Sequence, residues 1–347
     1  MPGLTPPAAV TAPQLDTAWE AHLDEHVMDL AFSPDGRYLA AISITGPLTV
    51  FHSSSGEISA ALPGHSGGGF AVSWRADSLA LATAGQDGAV RVWDPASGAC
   101  LHALEAGAAW AERVAYAPYG NLLATAAGRK LRLWNADGAL LRAYPDHPST
   151  IADLQWQPGE QCVTTACYGQ LATFRPTTGE PLKRFAWKGS ILSLAWSPDG
   201  NYVATGNQDA SVHFWYRKSG KDLEMSGYPI KVRDLAWDSG SRYLATGGSA
   251  IVIIWDCGGK GPAGSTPIQL DGHDRTLSAL AWQRRGPFLA SGALEGRVCL
   301  WRPGKSTRLI RFAALGSEIT RLRWAPGDRL LAAACATGLI RVFRPAG

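Results

Sequence analysis

Along most of the chain, apolar and polar residues alternate in short runs, and the runs recur in a fixed order. A first alternating run ends on an aromatic residue and is followed by Pro, Asp or Gly. A second apolar run, rich in small residues, leads to a tight polar turn. A third alternating run then closes on Trp or Phe. Clear copies are VMDLAFSPDGRYLAA from Val27, ILSLAWSPDGNYVATGNQDASVHFW from Ile191 and VRDLAWDSGSRYLATGGSAIVIIW from Val232. Period-two alternation marks strands with one buried face, and SPDG and QDG are turns that join strands as hairpins.

The first aromatic falls at Phe32, Trp74, Tyr116, Trp156, Trp196, Trp237, Trp282 and Trp324. The closing aromatic falls at Phe51, Trp93, Trp134, Phe174, Trp215, Trp255, Trp301 and Phe343. These are eight units, with closing residues 42, 41, 40, 41, 40, 46 and 42 positions apart, the long interval holding the Gly/Pro loop Cys257–Pro267. Between units lies a short segment, such as Ala99–Gly107 or Thr266–His273, that supplies a fourth strand. Four short antiparallel strands in a repeat of about 40 residues make a propeller blade.

The pattern therefore predicts an all-β chain: a single closed eight-bladed β-propeller over residues 15–347, behind a disordered Pro/Ala leader at 1–14. The last unit stops after its third strand, and Leu15–His22 matches the missing fourth. An N-terminal strand closing the last blade removes an exposed sheet edge. Seven blades is the alternative, should the weak unit ending at Phe174 be irregular. Charge favours the join, since residues 1–64 carry a net −6 and residues 284–347 a net +9.

These residues resemble the WD-repeat family from Leu15 to the C-terminus, in the manner of the G-protein beta subunit type of propeller, matched at AWAERVAYAP (Ala109–Pro118). The second unit carries Gly64-His65, Thr83, Asp87 and Trp93-Asp94; the seventh carries Gly272-His273, Ser291, Glu295 and Trp301. The resemblance implies a structural tetrad in each: the acid orients the His, and the hydroxyl relays to the indole N–H. Gly107, Trp187, Tyr228 and Leu315 stand where other units would hold the His, so the tetrad is not carried over to them.

Composition adds mainly exclusions. The net charge of +3 is too small to imply a polyanionic partner. Six scattered cysteines with no CxxC pair read as reduced, buried small hydrophobes, which suits a reducing compartment. Neither a signal peptide nor an apolar stretch near the roughly 18 residues of a membrane span is present, so a cytoplasmic protein without a membrane partner is expected. His22, His26, His52, His102, His147 and His213 are dispersed without metal-ligand spacing, and no nucleophile elbow or phosphate loop occurs. No catalytic residue, cofactor or metal is expected. Arg297, Arg302, Arg308, Arg311, Arg321, Arg323, Arg341 and Arg344 are spread along strands and turns, on blade sides and edges, and several alternate with apolar residues as solvated outer strands do. Nucleic-acid or anion binding by these Arg-rich C-terminal blades is the alternative function.

Of fourteen Trp, eleven end first or third strands as blade core, leaving Trp19, Trp110 and Trp187. The closing strand accounts for Trp19. By the resemblance, positions six and four before the first aromatic project onto the top face of the propeller. There stand Met28, Phe70, Trp110, Glu112, Leu192, Lys231, Arg233 and Glu318, joined by the turn residues Tyr168, Gln208 and Leu294 and by Trp187. An apolar patch flanked by Lys231 and Arg233 suits a peptide or loop with an apolar anchor and an acidic residue. The expected function is a non-catalytic protein-interaction scaffold, monomeric by itself.

Overall fold

The computed structural model describes residues 12–259 and 261–345. Residues 1–11, most of the expected leader, lie outside them. The described residues form thirty-two strands in eight four-stranded antiparallel sheets, with no helix. Blades 1 to 7 span residues 27–62, 69–105, 113–143, 153–186, 191–225, 235–270 and 277–314. Blade 8 joins residues 319–344 to Asp16–His22. Each innermost strand packs on those of its two neighbours, and blade 8 packs on blade 1, so the ring is closed. The unit ending at Phe174 is a regular four-stranded blade, which removes the seven-bladed alternative.

Radial convergence explains the composition of each strand. Second strands such as Leu81–Gly85 (LATAG) and Leu331–Cys335 (LAAAC) are buried at every residue. Blades draw together toward the axis, and small side chains are what the narrowing gap accepts. Outer strands alternate instead, Cys100–Glu105 burying Leu104 and exposing Leu101. The core is divided into clusters between blades, such as Trp19, Leu30, Phe51, Ala332 and Ile340 between blades 8 and 1.

Closure runs in register from Asp16↔Arg344 to His22↔Leu339, with a bulge between Thr17 and Trp19. Trp19 is buried and donates its indole N–H to Ser53 O at 2.8 Å. The chain before this strand crosses onto blade 7, where Leu15 N bonds Phe312 O at 2.7 Å and Phe312 N bonds Pro13 O at 3.0 Å. Ion pairs Arg341–Glu20 (2.9 Å) and Arg311–Asp16 (3.3 Å) span the closing strand and its neighbours. Arg321 and Arg323 correct the sequence reading: they lie on the innermost strand Ile319–Trp324, each 3.2 Å from Asp29. Their alternation with apolar residues reflects a charged channel rather than outer solvent.

Candidate interaction face

The loops that carry the rim are held by the residues entering each blade. In blade 2, His65 Nε2 lies 2.8 Å from Thr83 Oγ1 and Nδ1 lies 2.8 Å from Asp87 Oδ1, while Trp93 Nε1 donates to Thr83 Oγ1 at 2.9 Å. A carboxylate only accepts, so Nδ1–H donates to Asp87 and Nε2 accepts the Thr83 hydroxyl. Burial holds the His65 pKa below its ordinary value. Burial alone would raise Asp87, but hydrogen bonds from His65 and Arg91 outweigh it and bring the carboxyl down to about 2. Gly64 takes φ +63°, and a Cβ there would stand 1.8 Å from Gly46 O, so the residue before the His has no room for a side chain. Blade 7 repeats the set, with His273 at 2.7 Å from both Glu295 and Ser291, and Trp301 donating to Ser291 at 2.8 Å.

The degenerate blades are filled by other means. Tyr228 replaces His in blade 6: its hydroxyl is 2.7 Å from Thr246 Oγ1 and accepts Trp255 Nε1 at 2.8 Å. In blade 3 the Arg132 guanidinium occupies the space beside Gly107, and Trp134 still donates to Thr125 at 3.0 Å. His147, grouped above with the dispersed histidines, is the tetrad-position His of blade 4, with Nε2 2.8 Å from Thr165 Oγ1. It precedes Trp156 by nine residues, as His65 precedes Trp74; that spacing was the available signal. Blade 8 fills the slot with Leu315, Ala333 and Phe343, all buried and apolar. Trp187 is half-buried with its ring 3.6 Å from that of His213, packed on the blade 5 core in the missing His slot rather than free on the rim.

On the rim, Trp110 is 55% exposed, and its ring centroid lies 6.1 Å from that of Phe70. Phe70 lines the mouth of a central channel of about 760 Å³, together with Leu192, Leu294, Lys231, Arg233 and Glu318. Tyr168 and Gln208 are exposed on the turns of blades 4 and 5. Two candidates are otherwise engaged. Met28 is half-buried against the core between blades 1 and 2, and Glu112 accepts the Gly128 N–H at 2.9 Å, bracing a turn. Exposed Ile44 and Ile230 also stand in top-face loops, and the two alignment positions used above did not reach them.

Below the mouth the channel wall is charged and ties blade to blade. Asp29 accepts Val72 N at 3.2 Å, Ser73 accepts Tyr116 N at 2.9 Å, and Asp153 accepts Leu194 N at 2.9 Å. The Asp234 backbone carbonyl accepts Gly247 N at 2.9 Å, but its carboxylate makes no hydrogen bond or ion pair among the described residues, and burial pushes that carboxyl up to about 6. Five of the eight arginines named above, Arg297, Arg311, Arg321, Arg323 and Arg341, are paired with acids, and no observation among the described residues supports the nucleic-acid reading.

The model of the WD domain, G-beta repeat matches residues 14–44, 56–94, 179–216, 223–256 and 264–302, more than half of the chain. A WD repeat-containing protein 26 homolog of Arabidopsis thaliana is 22% identical over 333 residues, 93% of this chain and 49% of that protein. The serine-threonine kinase receptor-associated protein of Gallus gallus is 26% identical over 216 residues, 61% of this chain and 60% of that one. The chain thus spans less than two thirds of these relatives' lengths. The crystal structure of the computationally designed Ika8 protein superposes with a TM-score of 0.82 at 22% identity, covering 95% of this chain and 99% of that one, a likeness of fold alone. Propellers of this family generally bind other proteins and are generally non-catalytic. With eight radial sheets, two complete His–hydroxyl–Trp relays and a family match over more than half of its length, the chain belongs to the WD-repeat β-propeller family.

Proposed function

We propose that this propeller is a non-catalytic scaffold that binds a peptide or loop of another protein on its top face. The observation that carries this reading is Trp110, exposed on the rim with its ring beside Phe70 at the channel mouth. An exposed Trp against a second aromatic offers large apolar area with little rotamer entropy to lose, which is the chemistry of an interface anchor. Lys231 and Arg233 on the same mouth draw in an acidic residue beside that anchor.

Affinity capture from a cell extract, quantified against a bead control, tests the face. Proteins held by the wild type should be lost with Trp110→Ala, which costs about 2 kcal/mol or more of affinity, and weakened with Lys231→Glu. Both variants should melt as the wild type does. Equal capture by wild type and Trp110→Ala refutes the assignment.

A further inference from the structure

The opposite face is built from the turns joining first to second strands and third to outer strands. At three seams it is sewn by turn-to-turn hydrogen bonds. Asp35 N donates to Ser78 Oγ at 3.0 Å between blades 1 and 2, and Asp199 N donates to Ser241 Oγ at 3.0 Å between blades 5 and 6. Between blades 7 and 8 the Asp328 carboxylate accepts Arg284, Arg285 and Gly286 N at 2.7 to 3.0 Å.

The seam between blades 4 and 5 is also bridged turn to turn, by Arg217 and Glu160, but it does not close up. There a cavity of about 380 Å³ opens, with Phe185 and Trp196 among its walls. Arg175, Lys183, Arg217 and Lys218 line it against a single acid, Glu160. Arg217 Nη1 reaches Glu160 Oε1 at 2.5 Å, and Arg175 stands 3.9 Å from Glu160 Oε2. One carboxylate among four cations leaves three charges uncompensated. Arg217 Nε is buried with no acceptor among the described residues. Lys183 is steered by the Arg217 carbonyl, and burial together with the Arg217 charge lowers its pKa. Cations gathered around one cavity, one of them with a buried unpartnered N–H, suit an anion that accepts from several donors.

We propose that this cavity binds a phosphate dianion, free or carried as a monoester, with the guanidiniums of Arg217 and Arg175 donating to its oxygens and Lys183 and Lys218 neutralising its charge. Phosphate suits the set because guanidinium forks match its oxygens in pairs, and a cavity of this size admits the group with part of what bears it. The site lies on the face away from Trp110 and does not rest on the top-face reading.

Calorimetric titration of the full chain, at constant ionic strength, uses inorganic phosphate and a neutral peptide bearing one phosphoserine, with the unphosphorylated peptide as control. Saturable binding of at least one phosphate probe is expected, weakened about tenfold in the double variant Arg175→Gln/Lys218→Gln. Both substituted side chains are exposed, so the fold survives, and melting checks this. Arg217→Lys keeps the charge but removes Nε, and should also weaken binding. Trp110→Ala should leave it unchanged. Tighter binding of the phosphopeptide assigns a protein-borne phosphate, and tighter binding of inorganic phosphate a free one. No saturable binding of either probe, or equal affinity in the double variant, overturns the proposal.

Discussion

The hydroxyl of Thr83 serves two partners at once, donating to His65 and accepting from Trp93, while the far side of His65 is fixed by Asp87. At this scale the relay is a matter of satisfying buried donors, since an indole N–H without an acceptor costs more than the bond it replaces contributes. The relay also fixes a pH dependence. The folded Asp87 carboxyl titrates at about 2 against an ordinary 3.8. The stability it contributes is complete above the ordinary value and drains away as pH falls through about 2. Wild type should therefore lose more stability across that acid range than Asp87→Asn, as read from urea midpoints at stepped pH. Parallel loss in the two proteins would show that the carboxylate contributes nothing.

In blades 6 and 8 the slot is filled as a coupled set, whereas in blade 5 Trp187 Nε1, Thr205 Oγ1 and both ring nitrogens of His213 are buried without a hydrogen-bond partner among the described residues. Where His is absent, Tyr228 carries both bonds in blade 6, and Leu315, Ala333 and Phe343 replace the polar atoms together in blade 8. A half-converted set would strand a buried donor. Tyr228→Phe leaves Trp255 Nε1 and Thr246 without the phenol and should cost about 1–3 kcal/mol. Tyr228→His should recover part of that cost, because an imidazole is what blades 2, 4 and 7 hold at the same place. Thermal unfolding of the two variants side by side gives the comparison, and a silent Tyr228→Phe would mean the relay is ornamental in this blade.

Over the whole molecule, stability depends on joining the two ends of the chain. Asp16–His22 covers Leu339–Arg344, and Trp19 plugs the seam between blades 8 and 1. Ion pairs across the join sit on half-exposed side chains and are individually worth about 0–1 kcal/mol, so they guide the register more than they hold it. Removing residues 1–22 uncovers a strand edge and a Trp-sized gap at once. The truncated chain should aggregate, as seen by size-exclusion chromatography with light scattering. A soluble, monomeric truncation would show that the ring stands without its closing strand.

Blade number, strand order and the closing strand were readable from residues alone, because a propeller repeats one local pattern and each copy states its own burial. The two complete tetrads were readable for the same reason, since His65 and His273 each stand at a fixed distance from their partners along the chain. Trp187, Tyr228 and Leu315 were placed in the other slots by the same spacing, but how each slot is satisfied was not readable, because the Arg132 guanidinium, the Tyr228 hydroxyl and the Trp187–His213 contact depend on side-chain reach. Arg321 and Arg323 were misplaced because an innermost strand facing a charged channel alternates just as an outer strand facing water does. Trp110 lacked a core position in the repeat, yet only the folded ring sets it beside Phe70, and only the meeting of blades 4 and 5 gathers four cations around one cavity. Periodicity records which face of a strand is buried. Which neighbour lies across that face is decided by closure of the ring.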